Sequence, residues 1–405
     1  MTVFAQCGSR KGGVAGSIVT EALRLGLVQG AVLSPANESP ADLDALIAEC
    51  RKAKQDIDVL IDPQLYVSTL SGVRDTHLPE HGWFPKKTLK ASSFTLRETQ
   101  RIVRAALDWQ YQRAVTTIVA PSIPIGAFDR DPFAQIAYMM AEEACAYHAE
   151  KGRAATGQAK PLLISLVVRE DALQATQPVR EFVDRLRGLD PCPAGVYLVV
   201  ERLNPGYTPL FEERALTNLL HCCHVLGNLD AWRVVLGYTD MIGIVAQAAG
   251  ATTSACGWHQ KLRYFHQQHW MESKGGATPR RRYTASPLFD SLLITPELTA
   301  LDLDGLYPHV RSGTRFDVTC PQEDNWMPTT STHHHWESLS NRASTIANVT
   351  GAAQRLDAIE DMLSKALHLG HLIEKKGIPF EKRKPTGHIE GWIRALRTHR
   401  DAIKL

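Results

Sequence analysis

The sequence predicts an α/β protein, and three observations carry that prediction. Short apolar runs of strand length alternate with segments of helical periodicity from residue 3 to about residue 259. The alternation occurs eight times, and each apolar run ends in a polar or glycine-bearing loop. Strands that alternate with helices pair in parallel through right-handed crossovers, and eight units in about 260 residues match a (β/α)8 barrel of the TIM type. An open, doubly wound eight-strand sheet is the alternative topology. Residues 1–260 are assigned to the barrel domain, and residues 261–405 to a basic, aromatic segment and a mainly helical C-terminal extension.

The first strand is Val3 to Gln6, followed by a glycine-bearing turn and a helix from Ser17 to Leu27. The second unit is Ala31 to Ser34 with a helix from Ala41 to Ala53, and the third strand, Val59 to Ile61, closes on Asp62. An irregular excursion follows at about 68–93, carrying His77, Pro79, His81, Gly82, Trp83 and Pro85; a loop this long in a compact domain is expected to be a lid or binding loop. A helix from Leu96 to Arg113, with Ile102, Val103, Ala106 and Leu107 on one face, leads into strand Thr117 to Ala120. Then come helix Pro132 to Glu150, strand Leu162 to Val168, helix Pro178 to Leu189, strand Gly195 to Val200 and helix Pro209 to Leu226. The stretch WRVVLGYTDMIGIVAQAAGATTSACGWH supplies the seventh strand, a helix of small residues and the eighth strand. Beyond 261, Pro-punctuated loops run to about 336, and two helices are expected, Leu339 to Lys375 and His388 to Lys404.

Composition excludes several classes. With 44% apolar and 22% charged residues and a net charge of +2, the chain reads as an ordinary globular protein, and any nucleic-acid case must be local. No signal-peptide pattern opens the chain and no apolar run approaches a membrane span of roughly 18 residues, so a cytoplasmic protein without a membrane partner is expected. Eight cysteines without CxxC spacing fit reduced thiols.

In a barrel the active site lies at the C-terminal ends of the strands. Asp62, Glu201 and Asp240 are the candidate catalytic carboxylates, because a partly desolvated strand-end carboxylate can act as base or nucleophile. The structural alternatives are a turn cap at Asp62 and a Glu201–Arg202 pair. Asn37, Gln64, Arg202, Tyr238 and His259 occupy neighbouring strand ends and are candidate substrate contacts. No metal and no cofactor are expected. SRKGGVAGS at 9–17 lacks the Lys-Ser/Thr end of a phosphate-binding loop, and the run His333, His334, His335 lacks CxxC or HxxxH company; Cys222 and Cys223 read as core. The segment after 261 interleaves Lys261, Arg263, Arg280, Arg281 and Arg282 with Tyr264, Phe265, Trp270 and Tyr283, a pattern suited to phosphate contacts and base stacking, or to a solvated face. A second basic run lies between Lys375 and Arg400.

Three segments, AVLSPANES, DVLIDPQLYVSTLSG and RVVLGYTDMIGIVAQAAGA, resemble in pattern the queuine and archaeosine tRNA-guanine transglycosylases and their relatives that insert 7-deazaguanine into DNA. The resemblance implies a barrel, base exchange at a guanine in DNA or tRNA through a carboxylate that attacks the sugar C1′, and a substrate-binding role for Asp62. Two features depart from that family: ATTSACGWH has no last-strand aspartate nucleophile, and 305–345 has no CxCxxC…H zinc site. Glu201 and Asp240 are the candidates to replace the nucleophile. The sequence therefore leaves three expectations: a base-exchanging transglycosylase, a noncatalytic nucleic-acid-binding or complex-forming barrel, and a lyase or hydrolase of a small metabolite. The partner classes are DNA or tRNA, and a second protein chain in a complex or homodimer.

Overall fold

A computed structural model of the chain describes residues 1–8, 16–154, 160–204, 210–271, 280–378, 380–381 and 383–404; most of the segment 9–17 falls outside them. Nine parallel strands form the main sheet: β1 (Thr2–Gln6), β2 (Gly30–Leu33), β3 (Asp58–Ile61), β4 (Ile118–Val119), β5 (Pro124–Ile125), β6 (Leu162–Arg169), β7 (Gly195–Glu201), β8 (Arg233–Gly237) and β9 (Thr253–Cys256). β4 and β5 both pair with β6 and are two pieces of one stave, so the sheet has eight staves in the order β3-β2-β1-β9-β8-β7-β6-β4. Its two ends meet where the Thr116 amide donates to Val59 O at 3.0 Å and the Val59 amide to Thr116 Oγ1 at 2.8 Å. This is the TIM-like barrel that the strand–helix alternation implies.

Among the described residues seven helices follow the staves: α1 (Gly16–Arg24), α2 (Pro40–Ala53), α3 (Leu96–Tyr111), α4 (Pro132–Ala154), α5 (Thr176–Arg187), α6 (Glu213–Cys223) and α7 (Ile242–Ala249). Their starts follow capping chemistry: Ser39 Oγ accepts the Asp42 amide with Pro40 behind it, and Thr95 Oγ1 accepts the Glu98 amide. At the N-terminal end of the barrel Asp58 takes Thr116 Oγ1–H, Thr117 Oγ1–H and the Arg233 guanidinium, a polar plug below the apolar interior. The opposite end is where the longer loops gather.

After β9 the chain forms an antiparallel hairpin, β10 (Arg282–Ala285) and β11 (Asp290–Leu293), then α8 (Thr299–Leu303), α9 (Tyr307–Val310), α10 (Pro328–Ala347), α11 (Ala352–Lys375) and α12 (Gly387–Ile403). The single helix expected from Leu339 to Lys375 is two. Gly351, at φ +89°, turns the chain between α10 and α11 in a conformation an L side chain rarely adopts. The stretch expected to be loops before 336 holds the hairpin and two short helices around their own apolar cluster of Tyr283, Leu292, Leu298, Tyr307 and Trp326.

α10 lies against β1, β10 and α7, the place of the eighth barrel helix. Its fully buried Trp336 donates Nε1–H to Cys256 O at 2.9 Å, and Ser340 Oγ donates to Leu27 O. Trp336, Leu339, Leu356, Leu363 and Trp392 belong to the same apolar cluster as the barrel strands. No helix of the described residues is long and apolar enough to cross a membrane.

Candidate active site at the C-terminal end of the barrel

Asp62 leaves β3 at the barrel axis and is 1% exposed. Its Oδ1 accepts the Gln64 amide at 3.0 Å. Its Oδ2 is faced by three phenols: Tyr66 at 2.9 Å, Tyr197 at 3.3 Å and Tyr238 at 3.4 Å. Burial pushes the carboxyl up to about 6, while the phenol and amide donors pull against that rise. Each tyrosine is raised by its own burial and by the neighbouring carboxylate, so all three stay protonated and present O–H.

The surrounding polar groups form one network. Gln64 Nε2 donates to Tyr238 Oη at 3.1 Å, and Gln64 Oε1 accepts from Ser34 Oγ and the Ala36 amide; Asn37 Nδ2 in turn donates to Ser34 Oγ. Gln6 Oε1 accepts from Tyr197, and Gln6 Nε2 is buried without a partner among the described residues. Two of its members, Gln64 at φ +55° and Tyr238 at φ +53°, hold left-handed backbone conformations, disfavoured for bulky residues by about 1 kcal/mol or more each. Gly237 makes room beside them, since a Cβ there would fall 2.3 Å from Tyr197 Oη.

A cover closes this cluster. The segment Gln260–Met271 crosses the barrel mouth, and Phe265 and Trp270 pack edge-on against Tyr66 at 4.9 and 6.0 Å between ring centroids. Glu201 fastens that segment: its Oε1 accepts the Gln267 amide and its Oε2 accepts Gln267 Nε2. Burial raises the Glu201 carboxyl. The Arg202 amide donates to Phe265 O, while the Arg202 side chain forms a buried pair with Glu170 at 2.9 Å and reaches Leu210 O. The third carboxylate, Asp240, is buried in a separate group with Tyr264 at 3.3 Å, Arg263 at 3.9 Å and His335 at 3.7 Å, and burial raises it.

Of the candidate residues, Asp62, Gln64 and Tyr238 come together directly and Asn37 joins through Ser34. Glu201 and Arg202 hold the cover, Asp240 stands apart, and His259 is exposed before the turn Gln260–Leu262.

The basic residues divide. Arg263 donates to Gly257 O and Ser291, Arg280 to Glu381 and Thr295 O, Arg281 to Trp326 O, and Arg282 to Ser291 O. These guanidinium groups hold the protein's own chain. Lys261 differs: it is exposed and forms no ion pair among the described residues, and Arg74 beside it, from the 68–93 excursion, forms none either. The excursion and the cover are joined where the Arg74 amide donates to Trp270 O at 2.9 Å. Arg74 Nε and His269 Nδ1 are buried without partners among the described residues. His269 is held down at about 4 by burial and by Lys261, His266 and Arg74. The mouth of the barrel therefore carries a cationic group with no counter-charge among the described residues.

Tyr66, Tyr197, Gln6, Arg74 and His269 were not singled out by sequence reasoning. Tyr66 sits in the 3-10 turn four residues past Asp62, a spacing that could have flagged it; Tyr197 lies in mid-strand, where only the inward alternation of β7 reveals it. The run His333–His335 is structural. His334 bonds Thr314 and Thr284, and His335 bonds Thr284 and lies 3.4 Å from Cys256 Sγ. Among the described residues no three His, Cys, Asp or Glu are placed to share a metal ion.

No family model and no curated protein matches the chain. Among solved structures, the carboxyl transferase domain of Rhizobium etli pyruvate carboxylase with 3-bromopyruvate aligns over 99% of this chain and 60% of its own, at 8% identity and a TM-score of 0.35. The chain thus spans less than two thirds of that structure.

Proposed function

We propose that the protein is a barrel enzyme in which Asp62 exchanges a proton with a small anionic substrate held by Arg74, Lys261 and His269. One observation carries the reading: a fully buried carboxyl at the barrel's C-terminal end, raised to about 6 and oriented by three phenols and a main-chain amide. A group with that acidity accepts and returns protons near neutrality. The cations at the mouth, unpaired among the described residues, suit a phosphate or carboxylate, and the cover that leaves Asp62 1% exposed favours a molecule small enough to be enclosed. A screen of phosphorylated and carboxylated metabolites for proton exchange, by loss of deuterium label from substrate carbon, tests it. Asp62→Asn should abolish exchange, and Arg74→Gln should raise KM at least tenfold with little change in kcat; exchange that survives Asp62→Asn rejects the reading.

A second reading, base exchange at a guanine of DNA or tRNA, is favoured by the match of Asp62 to the transglycosylase pattern and by the exposed Lys261. There Asp62 would take the substrate-binding part that the pattern implies, while a strand-end carboxylate attacks C1′ as the C1′–N bond breaks and the base departs, and an incoming base would reverse the step. Incorporation of labelled guanine or a labelled 7-deazaguanine into a polynucleotide, lost in Asp62→Asn, would replace the first reading with this one.

A further inference from the structure

A second cleft lies outside the barrel wall, between α5, α6 and α12. It is lined by Thr176, Arg180, Arg214, Thr217, His221 and His399, with Glu212 and Glu213 at its edge, and its empty space is about 1190 Å³ including open solvent. Four nitrogen atoms of its lining are buried without a hydrogen-bond partner among the described residues: Arg180 Nε, His221 Nδ1 and both ring nitrogens of His399. His399 is fully buried. Each such atom costs about 1–3 kcal/mol when unpaired, and the four belong to side chains of three helices that line one cleft. The acids do not answer them. Glu213 is taken by Arg394 at 2.7 Å, and Glu212 caps the Ala215 amide at the start of α6.

The geometry points to a binding site for the phosphate group of a small metabolite in this cleft, held by Arg180, His221 and His399. The orphan atoms come from three helices, so acceptors are needed in several directions; a tetrahedral oxyanion supplies them where a planar carboxylate offers two oxygens. A hydrogen phosphate also carries one O–H, which can donate to an imidazole nitrogen that lacks a proton. A metal ion fits less well. His221 and His224 lie with ring centroids 6.5 and 5.7 Å from that of His399, yet the three are not placed to share an ion, and the Arg180 and Arg214 guanidinium groups would repel one.

The test is titration of the full chain with inorganic phosphate, followed by 31P NMR line width and calorimetry. Because the barrel mouth also carries cations unpaired among the described residues, the titration is repeated in Arg74→Gln. Binding should persist in Arg74→Gln and weaken at least tenfold in Arg180→Gln and in His399→Asn. If His399→Asn fails to fold, Arg180→Gln decides alone, since that residue is partly exposed. Absence of phosphate binding, or binding lost in Arg74→Gln and indifferent to Arg180→Gln, overturns the proposal. So does zinc titration that shifts the His221 and His399 ring signals while phosphate does not.

Discussion

At the scale of the residue, Asp62 sits where burial and hydrogen bonding oppose each other, and burial prevails. A carboxyl raised from 3.8 to about 6 on folding holds a proton between about pH 4 and 6 that the unfolded chain has released. Stability therefore falls as pH rises through that window and stays at the lower level above it. Asp62→Asn removes the ionisation and should flatten this slope, raising stability at pH 7.5 by up to about 3 kcal/mol while abolishing turnover; urea midpoints of both proteins between pH 4 and 8 check it. A variant no more stable than wild type at pH 7.5 would place the conflict elsewhere. The neighbouring Gly237 gives a second handle: Gly237→Ala forces the Tyr197 phenol off Asp62 Oδ2, so activity should fall tenfold or more with only a modest loss of stability, read by comparing kcat with the melting midpoint. Asp62, Gln64 and Tyr238 were legible in the sequence because strand ends are legible. Tyr197 was not, because a tyrosine inside an apolar strand reads as core until the barrel closes around it.

At the scale of the element, the cover and its anchors decide how much water Asp62 meets. Phe265→Ala opens space over Tyr66 and should lower the Asp62 carboxyl from about 6 toward 3.8, at a stability loss of about 3–5 kcal/mol. Carbon-13 NMR of the labelled aspartate carboxyl across pH measures the first effect, and an unmoved titration would show that Phe265 does not seal the site. The Glu170–Arg202 pair behind the cover is buried on both sides. Removing one partner leaves a buried charge, so Glu170→Gln should destabilise by about 3–5 kcal/mol, and the double variant Glu170→Met, Arg202→Met should recover part of that loss in urea unfolding. The eight strands were legible because each is an apolar run between turn signals. The cover was not, because Gln260–Met271 has no periodicity and owes its place to contacts with Glu201, Tyr66 and Arg74.

At the scale of the whole molecule, the barrel has seven helices from its own strand–helix repeats and takes the eighth from beyond an intervening hairpin. α10 starts some seventy residues after β9 ends, so no local pattern connects it to the barrel. Only the fold shows that Trp336 and Ser340 hydrogen-bond Cys256 and Leu27, and that α11 and α12 continue one apolar cluster from α7 and α6. A fragment of residues 1–260 would leave the faces of β1, β9 and α7 open, including Ala246, Val245 and Val3, each fully buried in the intact chain. Burial of such a surface is worth roughly 25 cal/mol per Å², and a domain's net stability is only about 5–15 kcal/mol. The fragment should therefore keep helical far-ultraviolet dichroism while losing its near-ultraviolet signal and binding a hydrophobic dye. The full chain should melt in one calorimetric transition, because its apolar core runs unbroken from β1 to Trp392. A fragment with a native near-ultraviolet spectrum and a cooperative melt would mean instead that the seven-helix barrel is complete in itself and that α10 only leans on it.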